Sequence, residues 1–251
     1  MEETCKKRRV IFVDDDGKMS DRQDNFEQFG QIASYVGALR SRGIDVGPTR
    51  EYSAEFAHLL NDGVFHSVDG AVEYFDRLVR DDDEWNAIDG MIIDAQMPPG
   101  TLLPTRLYMD KNAGQMMTGS TLIQYLSLKM WKSEGEEEEE SRNRFGMTIC
   151  LLTNHPDSMD KLKEAYKSLW KKRNDDPDFG YARFEDREND PKDATLDETG
   201  IKIRYDKKIT TEHNKDELLG QFVDGFEKRM LELDNVRKDI DVKVPKFPYH
   251  P

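Results

Sequence analysis

Cysteine is scarce in this chain: Cys5 and Cys150 are the two among 251 residues. Two thiols cannot build a disulfide framework. Cys150 lies inside an apolar run, so it reads as a buried, reduced thiol, which fits a reducing compartment. Long apolar runs are missing as well. No segment approaches the roughly 18 consecutive apolar residues of a membrane span, and the first residues carry no apolar signal core. The expectation is a soluble, cytoplasmic protein with no membrane partner. There is no glycine-rich phosphate loop of the form G-x-x-x-x-G-K-[ST]. His58, His66, His213 and His250 are scattered without metal-ligand spacing, and no Ser-His-Asp or Cys-His nucleophile set stands out. Basic charge is in deficit, with 37 lysines and arginines against 51 acids and a net charge of −14. Such a chain repels nucleic acid unless a basic face is segregated, so no direct nucleic-acid partner is expected. The one dense basic cluster, Lys6-Lys7-Arg8-Arg9, abuts an apolar run and reads as a solvated strand leader.

What is present is organised by short apolar runs. Val10–Val13, Met91–Ile93 and Ile149–Leu152 are brief and apolar at every position, and Ile201–Tyr205 is apolar at alternate ones; all four read as short strands covered on both faces. A fifth strand is needed before Met91, and Ile44–Val46 and Val64–His66 both qualify. Helical stripes alternate with these runs at Phe26–Leu39, Val72–Val79, Leu122–Trp131, Leu162–Trp170 and Leu218–Leu233. The alternation predicts an α/β fold, a doubly wound five-stranded parallel sheet with right-handed crossovers. The length suits one elaborated domain, residues 1–240. Within it, 99–118, 133–146 and 174–200 read as polar insertions, the second holding five consecutive glutamates, Glu136–Glu140. Residues 241–251, with three prolines, read as an extended tail.

The polar residues of interest fall at strand ends. Asp14, Asp15 and Asp16 end the first strand and Asp94 the third. Thr153 ends the fourth, and Lys208 follows the fifth. Ligands of open α/β sheets bind at the carboxyl ends of strands. Several carboxylates in one cleft repel one another and call for a cation, and oxygen ligands of this kind suit Mg²⁺. A lysine and a threonine hydroxyl would then hold phosphoryl oxygens, and a carboxylate can itself accept a phosphoryl group. The plain alternatives are a turn or helix cap for Asp14–Asp16, a turn acid for Asp94, a strand-end hydroxyl for Thr153 and a solvated lysine at 208.

Four segments in order resemble the receiver domains of two-component response regulators: VIFVDDD, MIIDAQMP, ICLLTN and IRYDKK. The resemblance implies a flavodoxin-like receiver fold. It implies Asp94 as acceptor of a phosphoryl group from a histidine kinase or phosphotransfer protein. It implies Mg²⁺ held by Asp14, Asp15, Asp94 and the backbone carbonyl of Gln96. Thr153 and Lys208 would hold phosphoryl oxygens, and Tyr205 would be the aromatic switch. Gln96 and His155 would occupy the positions that tune dephosphorylation. No output domain with DNA-binding features follows, so a stand-alone receiver is implied, acting on a downstream protein partner that the sequence does not identify. The resemblance covers the strand ends and neighbouring helices, roughly half of the chain.

Three features depart from the family pattern. Asn154 stands where a small residue is usual, Ile209 replaces the proline after the lysine, and residues 99–118 separate the phosphoacceptor strand from Thr118-Gly119. With Ile209 in that position, Lys207 competes with Lys208 for the role. The insertion at 99–118 reads as a lid or partner-selecting element, or as a surface excursion. Two other functions fit parts of the chain. Asp14-x-Asp16-Gly17 with LLTN resembles the haloacid dehalogenase phosphohydrolases, with Asp14 as nucleophile and Asp16 as acid/base, although Lys18 replaces the expected threonine. A degenerate receiver-like scaffold would bind partners without phosphorylation.

Overall fold

The computed structural model describes residues 7–17, 24–103, 118–119, 121–123, 125–126, 147–153, 183–184, 201–209 and 213–243. The strands are β1 (Arg9–Val13), β2 (Asp45–Val46), β3 (Leu60–Asn61), β4 (Val64–Phe65), β5 (Gly90–Asp94), β6 (Met147–Thr153), β7 (Arg183–Phe184) and β8 (Ile201–Lys207). The helices are α1 (Asp24–Ser41), α2 (Arg50–Glu55), α3 (Val68–Leu78), α4 (Asp82–Ala87) and α5 (Lys215–Lys243). Residues 118, 119, 121–123, 125 and 126 are also helical. The fold is mixed α/β, with a mostly parallel sheet and helices, compatible with the Rossmann or flavodoxin-like class. No helix among the described residues is long and apolar enough to cross a membrane.

The strands are apolar on both sides because both sides are covered. Side chains alternate across a strand. Ile11 and Val13, Met91 and Ile93, and Ile149 and Leu151 point into one cluster, built with Val72, Phe75 and Leu78 of α3, Trp85 of α4, and Leu122, Ile123 and Leu126. Val10 and Phe12, Ile92, and Cys150 and Leu152 point into the other, built with Ile32, Val36 and Leu39 of α1 and Phe222, Val223, Phe226 and Met230 of α5. Cys150 is buried, as its apolar run predicts, and its Sγ–H donates to Asp206 Oδ2 at 3.5 Å.

Among the described residues the sheet has eight strands rather than five, in the order β3-β4-β1-β5-β6-β8-β7, with β2 also on β1. The extra count comes from short pieces. Both segments competing for the strand before Met91 are used. β2 pairs with the start of β1 (Val10 opposite Val46) and β4 with its end (Phe12 opposite Val64). One edge position is thus filled by a strand broken between Gly47 and Gly63. Those two glycines have φ of 103° and 85°. They also touch: a Cβ on Gly63 would collide with the Val46 carbonyl oxygen, and one on Gly47 would lie 2.9 Å from the Gly63 carbonyl oxygen. The excursion between them carries α2 and β3, and β3 pairs antiparallel with β4. It is tied down by Thr49 N–H to Glu84 (3.1 Å) and the Tyr52 hydroxyl to Asp81 (2.7 Å). Tyr52 and Phe56 also pack edge-on against Tyr74.

Other expectations shift at their edges. α2 and α4 are absent from the sequence-based pattern because each is short and its buried contacts are few. Arg183–Phe184, inside the insertion expected at 174–200, is a strand paired with β8. α5 runs to Lys243, so residues 241–243 of the expected extended tail are helical, and the rest of it lies outside the described residues. The expected helix at Leu162–Trp170, the insertion at 133–146 and most of 99–118 lie outside the described residues. The basic leader is not simply solvated. Lys7 and Arg9 pair with Asp45 (2.6 and 3.0 Å), and Arg8 pairs with Asp234 (2.8 Å). The Arg9 N–H donates to Asp89 (2.8 Å). These charges fasten the start of β1 to neighbouring elements.

Candidate functional site

Parallel pairing carries the polar residues to one edge of the sheet. In β1 and β5, Val13 lies opposite Ile93, so Asp14 and Asp94 leave the sheet side by side. In β5 and β6, Asp94 lies opposite Leu152, with Thr153 next. In β6 and β8, Thr153 lies opposite Lys207, with Lys208 next.

The two acids are held alike. Asp14 Oδ1 accepts the Asp16 N–H and Asp94 Oδ1 accepts the Gln96 N–H, both at 3.0 Å. Each closes a short turn on its own backbone, as aspartates do at strand exits. Each turns its other oxygen to Lys208, whose Nζ lies 2.9 Å from Asp14 Oδ2, 2.9 Å from Asp94 Oδ2 and 3.3 Å from Asp16 Oδ2. The Asp14 contact is an ion pair without hydrogen-bond alignment, so Asp14 Oδ2 is a buried oxygen with no hydrogen-bond partner. Lys208, Asp14, Asp94 and Thr153 are all buried. The Lys208 N–H donates to the Thr153 carbonyl at 2.9 Å.

The site is short of positive charge. Burial, followed by the neighbouring carboxylates, pushes Asp14 up to about 8 against the partial offset of Lys208. Burial and the Asp94 charge push Asp15 up to about 6. Asp94 is raised mainly by burial, with Lys208 and the Gln96 N–H opposing. Burial works against the Lys208 ammonium, but Asp14 and Asp94 outweigh it and hold its pKa above the ordinary lysine range. One lysine therefore faces several carboxylates that ionise reluctantly.

Asp14, Asp15 and Asp94 each offer an oxygen, and the three oxygens lie within 4.8 Å of one another. A hard divalent cation such as Mg²⁺ takes ligands of this type. Asp14 Oδ2, which is ion-paired to Lys208 but outside any aligned hydrogen bond, and the raised Asp14 and Asp15 both fit a group of that charge. Gln96, whose carbonyl is the further ligand implied by the sequence, is fixed beside Asp94 by its own N–H.

The segments around Asp94 are also anchored. Thr118 Oγ1 donates to the Met97 carbonyl at 2.6 Å, and the Gly119 N–H donates to the Ala95 carbonyl at 3.2 Å. A Cβ on Gly119 would run into the carbonyl oxygen of Asp94. Thr118, the last residue of the insertion at 99–118, is thus held at Met97, beside the buried acids. The insertion's first residues dock on α3. Asp69 accepts the Thr101 N–H (3.0 Å), the Thr101 hydroxyl (2.9 Å) and the Leu102 N–H (2.9 Å). Burial opposes ionisation of Asp69, but these donors prevail and hold it below the usual carboxylate range.

No family model matches this chain, and no curated protein or solved structure does either.

The structure brings together Asp14, Asp15, Asp94, Gln96, Thr153 and Lys208 from the sequence-predicted set. Of the two candidate lysines, Lys208 contacts the acids, and the side chain of Lys207 lies outside the described residues. Tyr205 is placed in β8 opposite Leu151. His155 and Asn154 lie outside the described residues. Sequence reasoning missed three residues. Asp69 anchors the insertion, but an acid in a first helical turn gives no sign of what it will hold. Thr118 ties the end of the insertion to Met97. Tyr35 appears in the sequence only as one more apolar position of α1, yet its hydroxyl accepts the Ile209 N–H at 2.8 Å.

Proposed function

We propose that this chain is a receiver-type signalling switch in which Asp94 accepts a phosphoryl group. The observation that carries the reading is Lys208 Nζ, equally close to Asp94 and Asp14 at the carboxyl edge of the sheet. Three facts add support. The long-range strand order β4-β1-β5-β6-β8 is the flavodoxin-like order 2-1-3-4-5 when the broken edge strand is counted once. Asp14, Asp15 and Asp94 suit a divalent cation. Asp14 is fully buried whereas Asp94 is 5% exposed, which favours Asp94 as the acid that an incoming donor reaches.

In the proposed step an Asp94 carboxylate oxygen bonds to phosphorus as the P–N bond of a phosphohistidine breaks. The bond pair leaves on the imidazole nitrogen, which carries or takes up a proton, and nothing is oxidised or reduced. Mg²⁺, when bound, neutralises charge on the phosphoryl oxygens. Lys208 supplies a second positive charge and Thr153 a hydroxyl donor. The aspartyl phosphate biases the domain between two states, and the altered surface engages a downstream protein. A histidine kinase or phosphotransfer protein is the implied donor.

The test is incubation with acetyl phosphate and Mg²⁺, read by intact mass. We expect one base-labile phosphoryl adduct, lost in Asp94→Ala and still formed, more slowly, in Asp14→Asn. Phosphatase turnover abolished by Asp14→Asn would replace this reading with the phosphohydrolase. Absence of adduct with both acetyl phosphate and a phosphohistidine donor would leave the partner-binding scaffold.

A further inference from the structure

The lysine that joins the acids has a flexible stem, so something must fix where that stem begins. Two hydrogen bonds do so. The Lys208 N–H is held by the Thr153 carbonyl at 2.9 Å. The next N–H, that of Ile209, is held by the Tyr35 hydroxyl at 2.8 Å. Tyr35 is itself immobilised. Its ring is 1% exposed and meets Phe12 of β1 and Phe222 of α5 edge-on, with centroids 6.2 and 5.1 Å away. It therefore ties α1, β1 and α5 to the residue following Lys208. Burial raises the Tyr35 hydroxyl above its ordinary range, so it meets the amide as a neutral oxygen.

We propose that Tyr35 is a positioning residue: through the Ile209 N–H it fixes the chain after Lys208 and so aims the lysine ammonium at Asp94 and Asp14. Its consequence for phosphoryl transfer rests on the reading of Asp94 as phosphoacceptor. Tyr35 touches none of the proposed cation ligands, which come from the ends of β1 and β5. Loss of its hydroxyl should therefore impair what Lys208 does and leave cation binding alone.

The test uses Tyr35→Phe, which keeps the ring between Phe12 and Phe222 and removes the hydroxyl. Two readouts are taken. Peptide-resolved labelling with an amine-reactive reagent, in cation-free protein, should rise about five-fold at Lys208 and stay constant at exposed Lys228. The rate of adduct formation from acetyl phosphate should fall about ten-fold, with the Mg²⁺ dissociation constant within about two-fold of the parent. In a Lys208→Ala background, Tyr35→Phe should cost nothing further, which a merely structural role would not produce. Unchanged Lys208 labelling, or an equal loss of rate with and without the lysine, overturns the proposal. Raised labelling in a protein that forms no Asp94 adduct upholds the positioning role and sinks the phosphoacceptor reading, so the two failures are distinct.

Discussion

Asp14 and Asp15 titrate above the ordinary carboxylate value, at about 8 and about 6, because burial and neighbouring acids disfavour their charged forms. Between about pH 4 and pH 8 the folded chain therefore holds protons that the unfolded chain has released. The resulting stability is complete below the unfolded value of 3.8 and is lost as pH rises through 6 and then 8. Lys208, raised above the lysine range, stays charged throughout this window. We expect the melting temperature of cation-free protein to fall between pH 5 and pH 8.5. The stability loss should be on the order of a few kcal/mol, Asp15 contributing less because solvent screens its exposed part. Saturating Mg²⁺ should flatten the decline, since it binds the ionised acids. Scanning calorimetry with and without EDTA measures both curves; a cation-free melting temperature that rises with pH would contradict the assignment.

Among the secondary elements, the long strands were legible and the short ones were not. β1, β5 and β6 announce themselves because each is buried on both faces, which demands largely apolar residues, and β8 is marked by the alternating Ile201, Ile203 and Tyr205. β2 and β4 are two residues each, and their identity as one broken edge strand depends on Gly47 meeting Gly63. Pattern analysis therefore finds two rivals where the fold has two halves. This closure gives a prediction. Gly63→Ala places a Cβ against the Val46 carbonyl at a φ of 85°, so it should cost about 1–3 kcal/mol and detach β4 from the end of β1. Gly37→Ala, in the exposed face of α1 with nothing within 4 Å of its Cβ, should stabilise by up to about 1 kcal/mol. Urea unfolding of the two variants compares them directly. Comparable effects would mean that the excursion is not closed by the glycine contact.

For the whole molecule, the two apolar clusters flank one sheet, and the acids sit where its parallel strands end. α1 and α5 seal one face, while α3, α4 and the helix around Leu122 seal the other. The proposed cation site draws on β1 and β5 together, so it would exist only when the sheet is paired. Binding must therefore stabilise the entire fold. Mg²⁺ at 100 times its dissociation constant should add about 2.7 kcal/mol to the unfolding free energy, read as a rise in melting temperature that EDTA reverses. The rise should disappear in an Asp14→Asn, Asp15→Asn double variant. An identical rise in that variant would place the bound cation elsewhere. The insertion at 99–118 belongs to this scale too, because Thr118, Asp69 and buried Leu103 bind its two ends to different parts of the fold.

The sequence by itself determined the chemistry available at the edge. Carboxylates immediately after apolar runs must emerge at strand ends, and parallel strands put those ends on one side. It also determined the two-sided burial of β1, β5 and β6 and the burial of Cys150. Only the tertiary structure put the Lys208 ammonium between Asp14 and Asp94, since that contact joins the ends of three strands far apart in the chain. The sequence likewise left open what holds that lysine. Tyr35 and Ile209 are far apart in the chain, and a hydroxyl among apolar neighbours shows its hydrogen bond only when α1 is packed on the sheet.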